Sequence, residues 1–94
     1  MMHIRLLTFT LRAPWCHSLK EKRMVVKSLL KKIQNEFNVS VIESDLQEIH
    51  QSIEISLVYL AGSNALADQI YGKLQSFIIR ATDAEVVDIQ SEVL

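Results

Sequence analysis

A two-layer α+β sandwich with the element order β-α-β-β-α-β is the fold class this sequence predicts, and three observations carry it. Four stretches have the β-branched, alternating character of half-buried strands, and two longer ones repeat apolar residues at helical spacing. They follow one another in the order that lets both helices cover one face of a single sheet. The 94 residues suffice for one core and no second, so residues 1–94 are read as one domain.

Composition narrows the class. Apolar residues make up 49% of the chain while glycine and proline total only three, which excludes collagen-like, low-complexity and disordered classes. A single cysteine forms no internal disulfide, which fits a reducing compartment. Apolar residues follow Arg5, but Thr8, Thr10 and Arg12 break the run before it resembles an export signal. No stretch approaches the roughly 18 to 20 apolar residues that span a bilayer. A cytoplasmic location without membrane insertion is the expectation.

The first strand spans Met2 to Arg12, where Leu7, Phe9 and Leu11 alternate with Thr8 and Thr10. Pro14 stops it. Ser18-Leu19-Lys20-Glu21 then has the spacing of a capping box, which predicts a helix from Ser18 to about Phe37 with Leu19, Val26, Leu30, Ile33 and Phe37 as its apolar stripe and Leu29 beside it. Asn38 to Leu46 and Ser52 to Ala61 form a hairpin with a long or twisted tip, larger side chains falling at odd positions. Ser63 or Asn64 caps a second helix carrying Ala67, Ile70, Leu74, Phe77 and Ile78. Glu85 to Leu94 alternates again as the fourth strand.

This order predicts a ferredoxin-like sandwich: a four-stranded antiparallel sheet in order 4-1-3-2, both helices on one face, with strands one and three expected parallel at the centre. The other face is left open. Even-numbered side chains should line it, among them Ile4, Leu6, Ile42, Val58, Leu60 and Val86. These six are the candidate interface of a homodimer.

Charge is uneven. Residues 1–32 hold eight basic residues against Glu21 alone, a balance of +7, whereas residues 33–94 carry a balance of −8. Lys20, Arg23, Lys27 and Lys31 share one helical stripe, with Lys22 close by and Arg12 at the adjoining loop. Such a ridge suits the phosphates of RNA; a plain solvated helix face has the same pattern. Positive charge in the first helical turn is mildly unfavourable, and a bound phosphate reverses that.

The remaining constellations are weaker. Adjacent Cys16 and His17 lack an acidic orienting partner, so a catalytic dyad is not expected. His3, His50, Glu43, Asp45 and Glu48 show no metal-ligand spacing, and no metal or other cofactor is expected. An acylphosphatase-like phosphate site would use Arg12 with Asn38, but the loop after Arg12 has no glycine and Pro14 removes an amide. Trp15 either covers a core edge or stacks on a base or partner.

Pro14, Ser18-Leu19-Lys20, Lys22-Arg23, Phe37-Asn38-Val39-Ser40-Val41 with Glu43, Asp45 and Gln47, and the terminal Glu85-Val86-Val87-Asp88-Ile89-Gln90-Ser91-Glu92-Val93-Leu94 resemble the uncharacterised YlxP-like family of bacteria over essentially the whole chain. The resemblance implies a ferredoxin-like domain and no settled activity; genes of the family tend to lie among those for translation and ribosome maturation. Trp15, Leu46 and His50 depart from its usual pattern. Together these observations predict a non-enzymatic, cytoplasmic RNA- or ribosome-associated domain, with a protein-interaction or self-association module as the alternative.

Overall fold

Leu7, Phe9 and Leu11 of β1 (His3–Arg12) are fully buried while Leu6, Thr8 and Thr10 between them are half-buried, the alternation of a strand with one covered face. In this computed structural model, which describes residues 2–94, β1 is followed by α1 (Leu19–Glu36), β2 (Ser40–Asp45), β3 (Ser52–Ala61), α2 (Asn64–Ala81) and β4 (Glu85–Val93). Ser18 and Ser63 cap the helices, their hydroxyls accepting from the amides of Glu21 and Leu66 at 3.1 and 3.2 Å. Each cap satisfies one of the orphan donors of a first turn.

The sheet runs β2-β3-β1-β4, the order 4-1-3-2 read from the opposite edge. The fold is therefore ferredoxin-like. Strands one and three were expected parallel; they pair antiparallel, Leu7 opposite Leu57 and Phe9 opposite Ile55. Each crossover helix skips one strand, so the parallel partners are β1 with β2 and β3 with β4, each pair split by an antiparallel neighbour. Between sheet and helices sits one core, built from Leu7, Phe9, Leu11, Ile53, Ile55 and Leu57 below and Val26, Leu29, Ile33, Leu74 and Ile78 above.

Two local irregularities shift residues off their expected faces. β4 bulges opposite Thr10 and Leu11, leaving Val87 without a partner: Asp88 lies across from Thr10 and Val86 across from Leu11. Val86 accordingly packs against the core on the helix side and is not part of the open face, while Val87 is 47% exposed. On α1 the buried line is Lys22, Val26, Leu29 and Ile33, with Leu30 at its margin, so the stripe passes through Leu29 and starts on a lysine.

Candidate nucleic-acid interface

The buried line of α1 fixes where its basic residues point. At 3.6 residues per turn, Lys20, Arg23, Lys27 and Lys31 fall on the outer side and flank of the helix, and all four are exposed. About 1.5 Å of rise per residue spreads them over ~16 Å, enough for several phosphates. None forms an ion pair with another described residue. They are the part of the predicted site that the structure assembles.

Lys22 is not on this ridge. It has no exposed surface; its ammonium pairs with Glu43 Oε2 at 3.0 Å and donates to the Leu46 carbonyl. The pair is Coulombic without hydrogen-bond alignment, since Glu43 Oε2 has no aligned donor. The physical reason is register along the helix: residue 22 stands one turn before Val26 on the core-facing line, so its stem is packed and its head must find partners inside. Those partners come from the hairpin tip. Leu46 adopts φ 62°, an uncommon left-handed conformation for a leucine, while Asp45 Oδ1 accepts its amide at 2.8 Å and its carbonyl also accepts from Ile49 N at 3.0 Å.

Arg12 also lies apart from the ridge. It ends β1 on the side opposite buried Leu11, and its register partners are Ser52 and Glu85, so it belongs to the open sheet face. Arg5 is internal as well: its guanidinium bonds Asp68 at 3.0 Å and Asn64 at 3.4 Å, clamping the start of α2 to the sheet. The Tyr59 hydroxyl beside it donates to Ala67 O at 2.8 Å. Of the eight basic residues in the first third of the chain, Arg5 and Lys22 thus hold the fold together.

The acylphosphatase-like arrangement does not form. Arg12 leaves the far end of β1 and Asn38 precedes the start of β2, so in this register they sit at opposite ends of the sheet. The intervening loop keeps its amides for itself: Ala13 N bonds Gln51 O and Cys16 N bonds Ala13 O. Cys16 is fully buried, and burial first, with Glu21 second, pushes its thiol up from the ordinary range. His17 is exposed, so the two do not act as nucleophile and base. Among the described residues no group of three His, Cys, Asp or Glu side chains gathers around a common point.

On its other flank α1 borders a groove that sequence reasoning did not assemble. Trp15, Met24, Val25, Ser28, Leu29 and Lys32 meet Arg80, Ala81, Thr82 and Asp83 from the end of α2, enclosing about 490 Å3. Lys32 Nζ donates to Ala81 O at 2.9 Å across it.

The open sheet face has two halves. Ile4 lies opposite Leu60 and Leu6 opposite Val58, with Ile42 next along β2; Ile42 and Leu60 are each 60% exposed. Beyond them Thr8 and Ser56 hydroxyls meet at 3.2 Å and Ser56 donates to Ser44 at 2.7 Å. Thr10, Glu54 and Asp88, with Arg12 and Glu85 beyond them, complete a polar end of net negative charge.

Sheet order, helix placement and site together define a ferredoxin-like α+β domain with a basic helix and an acidic sheet. Residues 4–91 match the family described as "Protein of unknown function (DUF503)", and the chain belongs to that family. A 61-residue stretch is 34% identical to the "Uncharacterized protein YlxP" of Bacillus subtilis (strain 168), covering 65% of this chain and 66% of that relative, just under two thirds of its length. The family resemblance seen in the sequence therefore holds. Two solved structures share the fold: the de novo designed protein Foldit4, with a TM-score of 0.58 at 9% identity over 100% of this chain and 97% of that one, and 30S ribosomal protein S6 from Thermotoga maritima, with a TM-score of 0.51 at 15% identity over 100% and 89%. At these identities they show the fold alone. No helix among the described residues is long and apolar enough to cross a membrane.

Proposed function

We propose that this protein is a non-enzymatic cytoplasmic domain that binds the phosphate backbone of RNA, free or within a ribosomal particle, through Lys20, Arg23, Lys27 and Lys31 of α1. One observation carries the reading: four cations exposed on a single stripe, with no carboxylate among the described residues paired to them. Phosphates would supply the missing counter-charge. The open sheet, where some four-stranded domains stack bases on aromatic side chains, favours no such role because its described residues include Thr8, Thr10, Arg12, Glu54 and Asp88 and no aromatic ring. A ribosomal protein among the structures of like fold supplies a precedent for the scaffold only.

Binding of labelled single-stranded RNA at increasing salt tests this. Four neutralised phosphates give a slope of log affinity against log salt of about −3, at ~0.7 per contact. Replacing the four residues with Gln should remove that dependence while moving stability by no more than about 0.5 kcal/mol, as exposed substitutions do. A wild-type protein retained by neither RNA nor ribosomes at low salt would end the proposal.

The apolar half of the open face favours a second reading, self-association, because Ile4, Leu6, Val58 and Leu60 form two adjacent cross-strand pairs without a covering layer. The two readings use opposite faces and are compatible.

A further inference from the structure

We infer that the groove between α1 and the end of α2 holds one unpaired base of a bound RNA strand, stacked on the Trp15 indole. This rests on the phosphate-binding proposal and extends it from backbone to base. Trp15 is 42% exposed and Met24, across the same groove, is 66% exposed. Ala13 and Cys16 of the same loop have no exposed surface, whereas Trp15 keeps much of its indole open. The groove thus brings together a partly exposed indole and a flexible thioether, side chains of the kind that pack against flat rings. At about 490 Å3 the groove has the size of small-molecule sites, which run from roughly 300 to 1,000 Å3.

Its polar lining suits a nucleotide. Lys32 and Arg80 bring positive charge for a phosphate, and Asp83 and Ser28 bring acceptors and a hydroxyl for the edge of a base. Lys32 donates to Ala81 O, which links the two helices beside the groove. The groove also adjoins the ridge. Met24 stands four residues after Lys20 and three before Lys27, so its side chain is their neighbour on the helix surface. A strand whose phosphates follow the ridge therefore passes the mouth of the groove, where an unstacked base can turn in. Duplex RNA, with its bases stacked and paired, can satisfy the ridge but not the groove.

Trp15 is the sole tryptophan, so its emission reports on this groove alone. A single-stranded oligoribonucleotide of about 12 nucleotides, within the site sizes of single-strand binders, should quench it saturably, with the midpoint found by anisotropy of the labelled strand. The same strand annealed to its complement should bind with little quenching. Trp15→Ala should weaken single-strand binding about tenfold, Trp15→Phe should restore most of the loss, and duplex binding should be unchanged in both, which also shows that the variants fold. Salt-dependent RNA binding with unchanged emission and full affinity in Trp15→Ala would overturn the groove and leave the ridge standing. Absence of any RNA binding removes both.

Discussion

Lys22 has given up all of its solvent, and the ammonium keeps only Glu43 and the Leu46 carbonyl in exchange. A buried pair of this kind contributes little over an apolar pair of the same volume, yet breaking it from one side leaves a charge stranded. Lys22→Met should therefore destabilise the protein by about 3 to 5 kcal/mol, whereas Lys22→Met with Glu43→Leu should recover most of that loss. Chemical denaturation of the single and double variants measures both, and equal losses in the two would show that the pair is not what holds the tip. The burial of Lys22 was partly legible: it sits four residues before Val26 and seven before Leu29 on the buried line. Its partners were not, because Glu43 and Leu46 reach it through the twist of a hairpin tip that no spacing along the chain encodes. Trp15 and Arg80 likewise come to line one groove only through tertiary packing.

At the scale of elements, local signals were strong where a single segment decides the outcome. Both helices begin after serines that the capping patterns offer, and the four strands and α1 fall within two residues of their expected bounds; the sequence reading sets no end for α2, which closes at Ala81. Ser18 Oγ accepts from Glu21 N, while the Glu21 carboxylate lies 3.5 Å from the serine hydroxyl. The serine thus does most of the capping. Ser18→Ala should cost about 0.5 to 2 kcal/mol, read as a lower thermal midpoint, and Glu21→Ala distinctly less. A Ser18→Ala midpoint equal to wild type would mean that the first turn of α1 is held by its packing instead. The bulge of β4 was invisible in the sequence, since Val86 and Val87 have the same side chain and only pairing with β1 decides which one faces the core. The orientation of strands one and three was legible: in a 4-1-3-2 sheet each crossover skips one strand, so the strand lying between its ends runs antiparallel to both.

On the scale of the whole molecule, the two layers differ in charge and in cover. α1 turns its cations outward on one side, and the sheet on the other presents an acidic end beside an apolar one. The apolar end, with Ile4, Leu6, Ile42, Val58 and Leu60, is covered by no other element among the described residues. A second copy packed on that half would bury it, and the hydroxyls of Ser40 and Ser56 between the apolar residues are small enough to permit close approach of the sheets. Such a dimer places both basic helices outward on opposite sides, so RNA binding and self-association would not compete. Glu54 and Asp88, and Glu92 opposite Leu6, must then stay at a wet rim, which requires the two copies to overlap through the Ile4, Val58 and Leu60 side of their apolar halves. Light scattering at micromolar concentration should accordingly give a mass near twice 10.8 kDa. Val58→Lys, at the centre of the apolar half, should return it to the monomer mass without loss of ridge-dependent RNA binding, because a lysine there meets its own symmetry mate or an apolar surface. A wild-type mass near 10.8 kDa rules out the dimer, and a dimer that survives Val58→Lys moves the interface to the edge of β2 or β4.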